Sequence, residues 1–201
     1  MSRPVHPIEA ESFQIMAGLV DLTAWPEPER HVVARMIHAT ADESFASSAR
    51  IGSGAVAAGL EALGGRAPVI CDARMVAAGI PSVAGRNPVL CYLDRVPGTP
   101  AGRSTRSEAA VDAAAAEHPD GALWVIGNAP TALARLIALH ARGVVRPASV
   151  VGLPVGYVGA AEAKQALWDS PLRPLSITNE GRRGGSPVAA AAVNALVRLL
   201  S

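Results

Sequence analysis

The stretch GALWVIGNAPTALARLIALHARG, residues 121–143, carries the pattern that decides the fold of this chain. The apolar run at 122–127 is typical of a strand buried on both faces, and it ends at a glycine turn. Pro130 then stands near the start of a helical pattern that continues to about 142, a place where helices accept proline. The segment predicts a strand, a short loop and a helix in direct succession.

The same succession recurs along the chain, with helices predicted between most of the strands. The predicted strands lie near 68–72, 88–93, 122–127, 149–153 and 174–178. The predicted helices lie at about 7–21, 27–42, 46–63, 105–118, 130–142, 159–168 and 186–200. Strands that alternate with helices indicate a parallel α/β sheet, whose ligands bind beyond the carboxyl ends of the strands.

Composition favours one domain that needs neither disulfides nor metals. The chain has 201 residues, enough to bury a core. Half of them are hydrophobic, but no run of 18 apolar residues occurs, and no apolar leader segment opens the chain. We expect a cytoplasmic protein without a membrane span. A net charge of +1 argues against a nucleic-acid partner. Cys71 and Cys91 each end a β-type run, without other ligands at zinc spacing, and we expect both to be buried packing residues.

Arginine dominates the basic residues, because Lys164 is the only lysine among 18 cationic side chains. Arginine binds carboxylates through two parallel hydrogen bonds. A GC-rich genome produces the same bias, so the arginine excess is compatible with a polycarboxylate ligand without demonstrating one.

The segment RMIHATAD, residues 35–42, gathers acid-base groups on one helical face. His31, Arg35, His38 and Asp42 point one way and the apolar residues the other. Histidine exchanges protons near neutrality, since its ordinary pKa is about 6.5. Asp42, one turn later, could orient His38 or favour its charged form, or could be ordinary surface. A solvated face of an amphipathic helix would have the same pattern.

Two further segments suggest ligand contacts. Ser12 lies on an apolar helix stripe with Ile8, Ile15 and Leu19, where its hydroxyl needs a partner: either its own helix carbonyl or a ligand. The stretch GRRGGSPVAAAAVNAL, residues 181–196, follows the last strand and opens the last helix, so its N–H groups and arginines can face an anion. An exposed basic turn is the alternative. The loops GNAPT, 127–131, and GLPVGYVG, 152–159, have weaker forms of the same pattern.

Motifs of other enzyme classes do not occur in the sequence. Neither G-x-G-x-x-G, a Walker A loop, a G-x-S-x-G elbow nor a zinc motif is present. The remaining histidines are expected at the surface or at helix ends. They are His6, His31, His118 and His140.

Taken together, RMIHATAD, GNAPTAL (127–133) and GRRGGSPVAAAAVNAL resemble the precorrin-8X methylmutase family of corrin-ring biosynthesis. The resemblance continues through HPIEAESF (6–13) and CDARMVAAGIP (71–81), over nearly the whole chain. It departs from the family pattern at 95–104, a stretch rich in proline and glycine.

The resemblance implies a three-layer α/β/α fold with a mainly parallel, five-stranded, doubly wound (flavodoxin-like) sheet and extra N-terminal helices. It implies a homodimer, without a dissociable cofactor or protein-bound metal, that binds a tetrapyrrole polycarboxylate. His38 matches the catalytic proton donor and acceptor. The predicted substrate contacts are Ser12, Arg35, Arg106, Gly181, Arg182, Arg183, Gly184, Gly185 and Ser186.

The predicted reaction moves a methyl group from C-11 to C-12 of precorrin-8X to give hydrogenobyrinate. Three alternatives stay open at this point. The substrate could be cobalt-precorrin-8, with cobalt belonging to the substrate. The chain could be a corrinoid-binding or carrier protein without catalysis, which would not need His38. It could also be a flavin- or nucleotide-binding domain of flavodoxin type.

Overall fold

A computed structural model describes residues 6–96, 98 and 104–200, without the side chains at 82 and 84. A six-stranded sheet lies at its centre, in the order β1-β6-β5-β4-β2-β3. The strands are β1 Ala49–Ile51, β2 Val69–Cys71, β3 Val89–Cys91, β4 Leu123–Ile126, β5 Ser149–Gly152 and β6 Ser176–Asn179. All pair in parallel except β1, which runs antiparallel to β6.

Helices connect and cover these strands. They are α1 Pro7–Leu19, α2 Glu29–Thr40, α3 Phe45–Ser48, α4 Ala55–Gly64, α5 Arg74–Ala78, α6 Pro81–Ala84, α7 Arg106–Glu117, α8 Pro130–Ala141, α9 Ala160–Asp169 and α10 Ser186–Leu199. Short 3₁₀ turns occupy Tyr92–Arg95 and Arg173–Leu175.

The predicted fold class is confirmed. The order of the five parallel strands, β3-β2-β4-β5-β6, is the flavodoxin-like order, and its direction of winding reverses between β2 and β4. Two apolar clusters of buried residues lie on opposite faces of the sheet. One includes the inner faces of α2, α4 and α10, and the other those of α7, α8 and α9, which gives the three layers.

The prediction of one helix over 46–63 and of only five strands is wrong. That stretch forms α3, strand β1 and helix α4, so the sheet has a sixth strand. At Gly52 the backbone runs against the turn before β6, where an added Cβ would overlap the carbonyl oxygen of Arg173 and lie 2.7 Å from the carbonyl carbon of Pro174. Arg50 in turn bonds Glu180 and Gln165. Pairing with a distant strand overrides a weak local helix preference.

In the described ranges, no helix is long and apolar enough to cross a bilayer. The cytoplasmic location stays a prediction. The departure from the family pattern at 95–104 lies partly outside the described residues, at 97 and 99–103.

We expect Gly52→Ala to destabilise the protein by about 3 kcal/mol, because backbone atoms cannot yield to the new methyl group. Urea unfolding measures the change. Gly85→Ala is the matched control, since its Cβ would meet no described atom within 4 Å and its φ of −80° suits alanine. Equal stability of the two variants would contradict the close approach at Gly52.

Candidate active site

Helix α2 presents two faces, as its sequence predicts. Val32, Val33, Met36 and Ile37 are buried in the apolar cluster that includes α10. The opposite face carries His38 and is covered by α1 instead of solvent, because Ser12, Phe13 and Glu9 of α1 contact it. Helix α1 has no fully buried residue of its own.

His38 is held by two neighbours from α1. The Ser12 hydroxyl oxygen lies 3.0 Å from His38 Nδ1. The Phe13 ring stacks on the imidazole, with ring centroids 4.7 Å apart and an angle of 15° between the planes. Within the described chain Nε2 has no hydrogen-bond partner. The imidazole is therefore oriented through Nδ1, while Nε2 is left for another group.

Arg35, one turn earlier, already binds a carboxylate. It forms an ion pair with Glu9 of α1, and its guanidinium lies 4.6 Å from the Phe13 ring centre. Arg198 approaches the same carboxylate at 2.9 Å. The hydrogen bond from Arg35 lowers the pKa of Glu9, and the charges of Arg35 and Arg198 act in the same direction.

The Gly-rich loop, residues 181–186, lies at the carboxyl end of β6 and leads into α10. The Gly185 N–H donates to the Leu153 carbonyl at 2.8 Å, and a Cβ on Gly184 would lie 2.5 Å from the Pro154 oxygen. Helix α10 has no side-chain cap, because its N-cap residue is Gly185. Its positive end is therefore available to an anion at the edge of the sheet.

The loop's two arginines differ in their surroundings. Arg183 donates to Asp42 and to Ser44 Oγ, both just beyond α2, the helix that bears His38. Asp42 thus contacts Arg183 rather than orienting His38. Arg182 is exposed, and no partner for its guanidinium exists in the part of the chain that is described. No sequence pattern predicted the role of Lys164, whose buried ammonium donates to the backbone carbonyl of Arg183 in this loop.

Arg106 does not join this group of residues. It opens α7 in the opposite layer, and its Nε and Nη2 donate to the Leu93 carbonyl at 3.1 and 2.6 Å. In this structure the partner of its guanidinium is a backbone oxygen, and the expected contact between Arg106 and the substrate stays a prediction.

The GNAPT loop binds a carboxylate that belongs to the chain itself. The Asp72 carboxylate, just after β2, accepts the N–H groups of Gly127, Asn128 and Ala129 at 2.9, 2.9 and 2.6 Å. Burial raises the pKa of Asp72, while these three donors favour its charged form. The loop lies where the winding reverses between β2 and β4, the crevice in which flavodoxin-like sheets bind ligands. The weaker anion-binding pattern at 127–131 is therefore used by a carboxylate of the chain itself, that of Asp72.

The other histidines lie mostly at helix ends, and the two cysteines are fully or partly buried. His6 caps the start of α1, His118 the end of α7, and His140 lies in the last turn of α8, as predicted. His31 differs: it is partly buried on α2, its Nε2 has no described partner, and burial lowers its pKa. Cys71 is buried and Cys91 half-buried; burial raises the pKa of both thiols. The described residues contain no cluster of metal-binding side chains.

Comparisons with known proteins agree on one family. A model described as precorrin-8X methylmutase matches residues 7–199. The chain is similar to a precorrin-8X methylmutase from Pseudomonas aeruginosa, with 42% identity over 96% of the chain and 95% of the relative. It is also similar to a cobalt-precorrin-8 methylmutase from Synechocystis, with 37% identity and the same coverage. A solved structure of precorrin-8X methylmutase from Thermus thermophilus matches with TM-score 0.81, 42% identity and coverage of 96% and 95%.

We expect Glu9→Gln to lower the free energy of unfolding by about 1 kcal/mol near pH 7, through loss of the ion pairs to Arg35 and Arg198. Because folding lowers the pKa of Glu9, its contribution is present above the ordinary carboxyl pKa and is lost as pH falls through the lowered value. The difference between wild type and variant should therefore vanish in acid.

Urea unfolding at a series of pH values measures this difference. Glu11→Gln, an exposed residue of the same helix, is the matched control and should leave the stability unchanged. A Glu9→Gln effect of the same size at pH 3 and pH 7 would argue against the ion pairs.

Proposed function

The chain belongs to the precorrin-8X methylmutase family and is an isomerase of cobalamin biosynthesis, and on this premise we propose how its residues carry out the reaction. The enzyme moves a methyl group from C-11 to C-12 of precorrin-8X and forms hydrogenobyrinate. His38 delivers and recovers the proton that accompanies the shift. The observation that carries this assignment is its geometry, with Nδ1 paired to Ser12 and Nε2 left without a described partner.

The Ser12 hydroxyl suits a histidine that changes protonation. A hydroxyl group can both donate and accept a hydrogen bond. As an acceptor, it keeps the hydrogen bond from Nδ1–H both in the charged imidazole, which carries a second proton on Nε2, and in the neutral tautomer that remains once the Nε2 proton has been given up. The ring can thus give up and regain the Nε2 proton without turning, which keeps the reacting geometry fixed.

Carboxylate side chains of the substrate are bound by arginines and by the Gly-rich loop. Arg182 has no described partner, and the start of α10 adds uncapped N–H groups beside it. Arg35 and Arg183 pair with Glu9 and Asp42 in this structure, and substrate carboxylates exchange with those acids on binding. Arg106 is the proposed anchor at the opposite end of the macrocycle.

Cobalt-precorrin-8 is the second candidate substrate. Curated relatives with 32–37% identity over most of the chain carry the name cobalt-precorrin-8 methylmutase. The cobalt ion would belong to the substrate, so the same protein groups would act on either compound. Incubation of the purified enzyme with each compound separates the candidates, because isomerisation changes the visible spectrum only of the one that is turned over.

A homodimer fits the exposed surface of α1. Ile8, Ile15 and Leu19 on this helix are 70%, 61% and 67% exposed, although they form one apolar stripe. Contiguous apolar surface of this kind is typical of a protein interface. In this proposal a second copy of the chain covers this stripe and adds surface for a macrocycle that is wide relative to a fold of 201 residues.

We expect His38→Ala to lower kcat by about 10²–10⁴, the usual contribution of general acid-base catalysis. The affinity for hydrogenobyrinate should change little, because arginines and backbone donors bind the carboxylates. Stopped-flow absorbance with precorrin-8X measures turnover, and a spectroscopic titration with hydrogenobyrinate measures affinity.

His118→Ala is the control, since His118 ends a helix of the opposite layer and should keep full activity. Full activity of His38→Ala would reject the catalytic role, and binding without turnover by the wild type would favour a corrinoid carrier.

We expect Ile15→Asp to convert the dimer to a monomer at micromolar concentration, because a buried unpaired carboxylate opposes association. Sedimentation equilibrium measures the molecular mass. Met75→Asp, at a position that is 63% exposed on α5, is the matched control and should stay dimeric. An active wild-type monomer would contradict the proposed dimer.

A further inference from the structure

Lys164 is an ammonium group placed inside the protein. It lies on α9 and is 1% exposed, and no carboxylate of the described residues pairs with it. Its Nζ donates to Asn179 Oδ1 at 3.0 Å and to the backbone carbonyl of Arg183. Burial lowers its pKa to about 8. An unpaired charge in such a position opposes folding, so a role in stability alone does not explain it.

The group that this lysine binds belongs to the Gly-rich loop. Asn179, at the end of β6, donates through Nδ2 to the same Arg183 carbonyl at 3.1 Å and to the Glu180 carbonyl at 2.8 Å. The Arg183 carbonyl therefore accepts from two buried side chains. The rest of the loop consists mainly of glycine and exposed arginine, and it is held by backbone hydrogen bonds such as those of Arg182 with Gly156 and of Gly185 with Leu153.

The direction of one carbonyl determines the direction of the next N–H. In a trans peptide unit, the C=O and N–H bonds point to opposite sides. Because the Arg183 carbonyl points inward to Lys164, the Gly184 N–H of the same unit points away from the protein interior. No described atom accepts this N–H, whereas the next one, from Gly185, is bonded to Leu153.

We propose that Lys164 is a positioning residue of the substrate-binding loop, which directs the Gly184 N–H toward a carboxylate of the tetrapyrrole by binding the Arg183 carbonyl from below. The ammonium also places a positive charge beneath the loop, which favours an anion above it. The same anchor sets the path of the Arg183 side chain toward Asp42, next to the helix that bears His38. This inference rests on the proposed function, in which the loop binds substrate.

The test compares Lys164→Met with wild type in steady-state turnover of precorrin-8X. Loss of one charge-assisted anchor should raise KM about tenfold or more, and kcat should change by less than about threefold, because His38 is not affected. The Kd for hydrogenobyrinate should rise in parallel. A folded Lys164→Met variant with unchanged KM and Kd overturns the proposal.

Asn87→Ala is the matched control for the loss of a buried donor. The Asn87 amide is also buried, and it donates to the Leu63 and Ala67 carbonyls at 3.2 and 2.9 Å, at the end of α4. This variant should lose stability and keep its KM. A rise of KM in Asn87→Ala as large as in Lys164→Met would assign the effect to stability and overturn the proposal.

Two further variants complete the design. Arg182→Gln tests the loop as a binding site. If it raises KM while Lys164→Met does not, the positioning role of Lys164 is rejected and substrate binding by the loop is retained. If neither variant raises KM, the proposal that the loop binds substrate is rejected as well. Should Lys164→Met fail to fold, Asn179→Ala removes the second donor to the same carbonyl, and an unchanged KM in that variant overturns the proposal.

Discussion

The packing of α2 against α10 is the contact on which the candidate site depends. The apolar face of α2 is buried against α10, and α10 begins at the Gly-rich loop. This contact therefore determines which face of α2 is left for His38, and it brings the end of α2 beside Arg183. The groups that we propose for proton transfer and for carboxylate binding lie near one another because two helices far apart in the chain share one apolar interface.

Internal carboxylates occupy several positions that could bind an anion. Asp72 accepts three N–H groups at the reversal point of the sheet, Glu9 pairs with Arg35, and Asp42 pairs with Arg183. The first is buried and belongs to the permanent framework. The other two pairs are partly exposed, so the proposed exchange with a substrate carboxylate would cost less free energy there than at Asp72. The buried acid also occupies the crevice that a flavodoxin-type ligand would need, and the binding region that we propose lies instead at the carboxyl end of β6.

Helix α1 contacts the proposed catalytic histidine and also carries the proposed dimer surface. It supplies Ser12 and Phe13 to the imidazole of His38, yet none of its residues is fully buried. A helix with few buried contacts opens at low free energy, so its position depends on its polar contacts with α2 and on whatever covers its apolar stripe. Dimerisation through that stripe would hold the histidine's partners in place, and this explains how an interface could affect turnover without contributing a catalytic group.

Local patterns in the sequence determined the five parallel strands, the faces of α2, and the Gly-rich loop before α10. Those features follow from periodicity, turn residues and segment motifs, which act over a few residues. Strand β1 and the partners of Ser12, Arg35, Asp72 and Lys164 could not be found in this way. Each involves groups that lie 15 or more residues apart in the chain. Only tertiary packing decided them, because a side chain's spacing shows which face it occupies but not which distant group that face will meet.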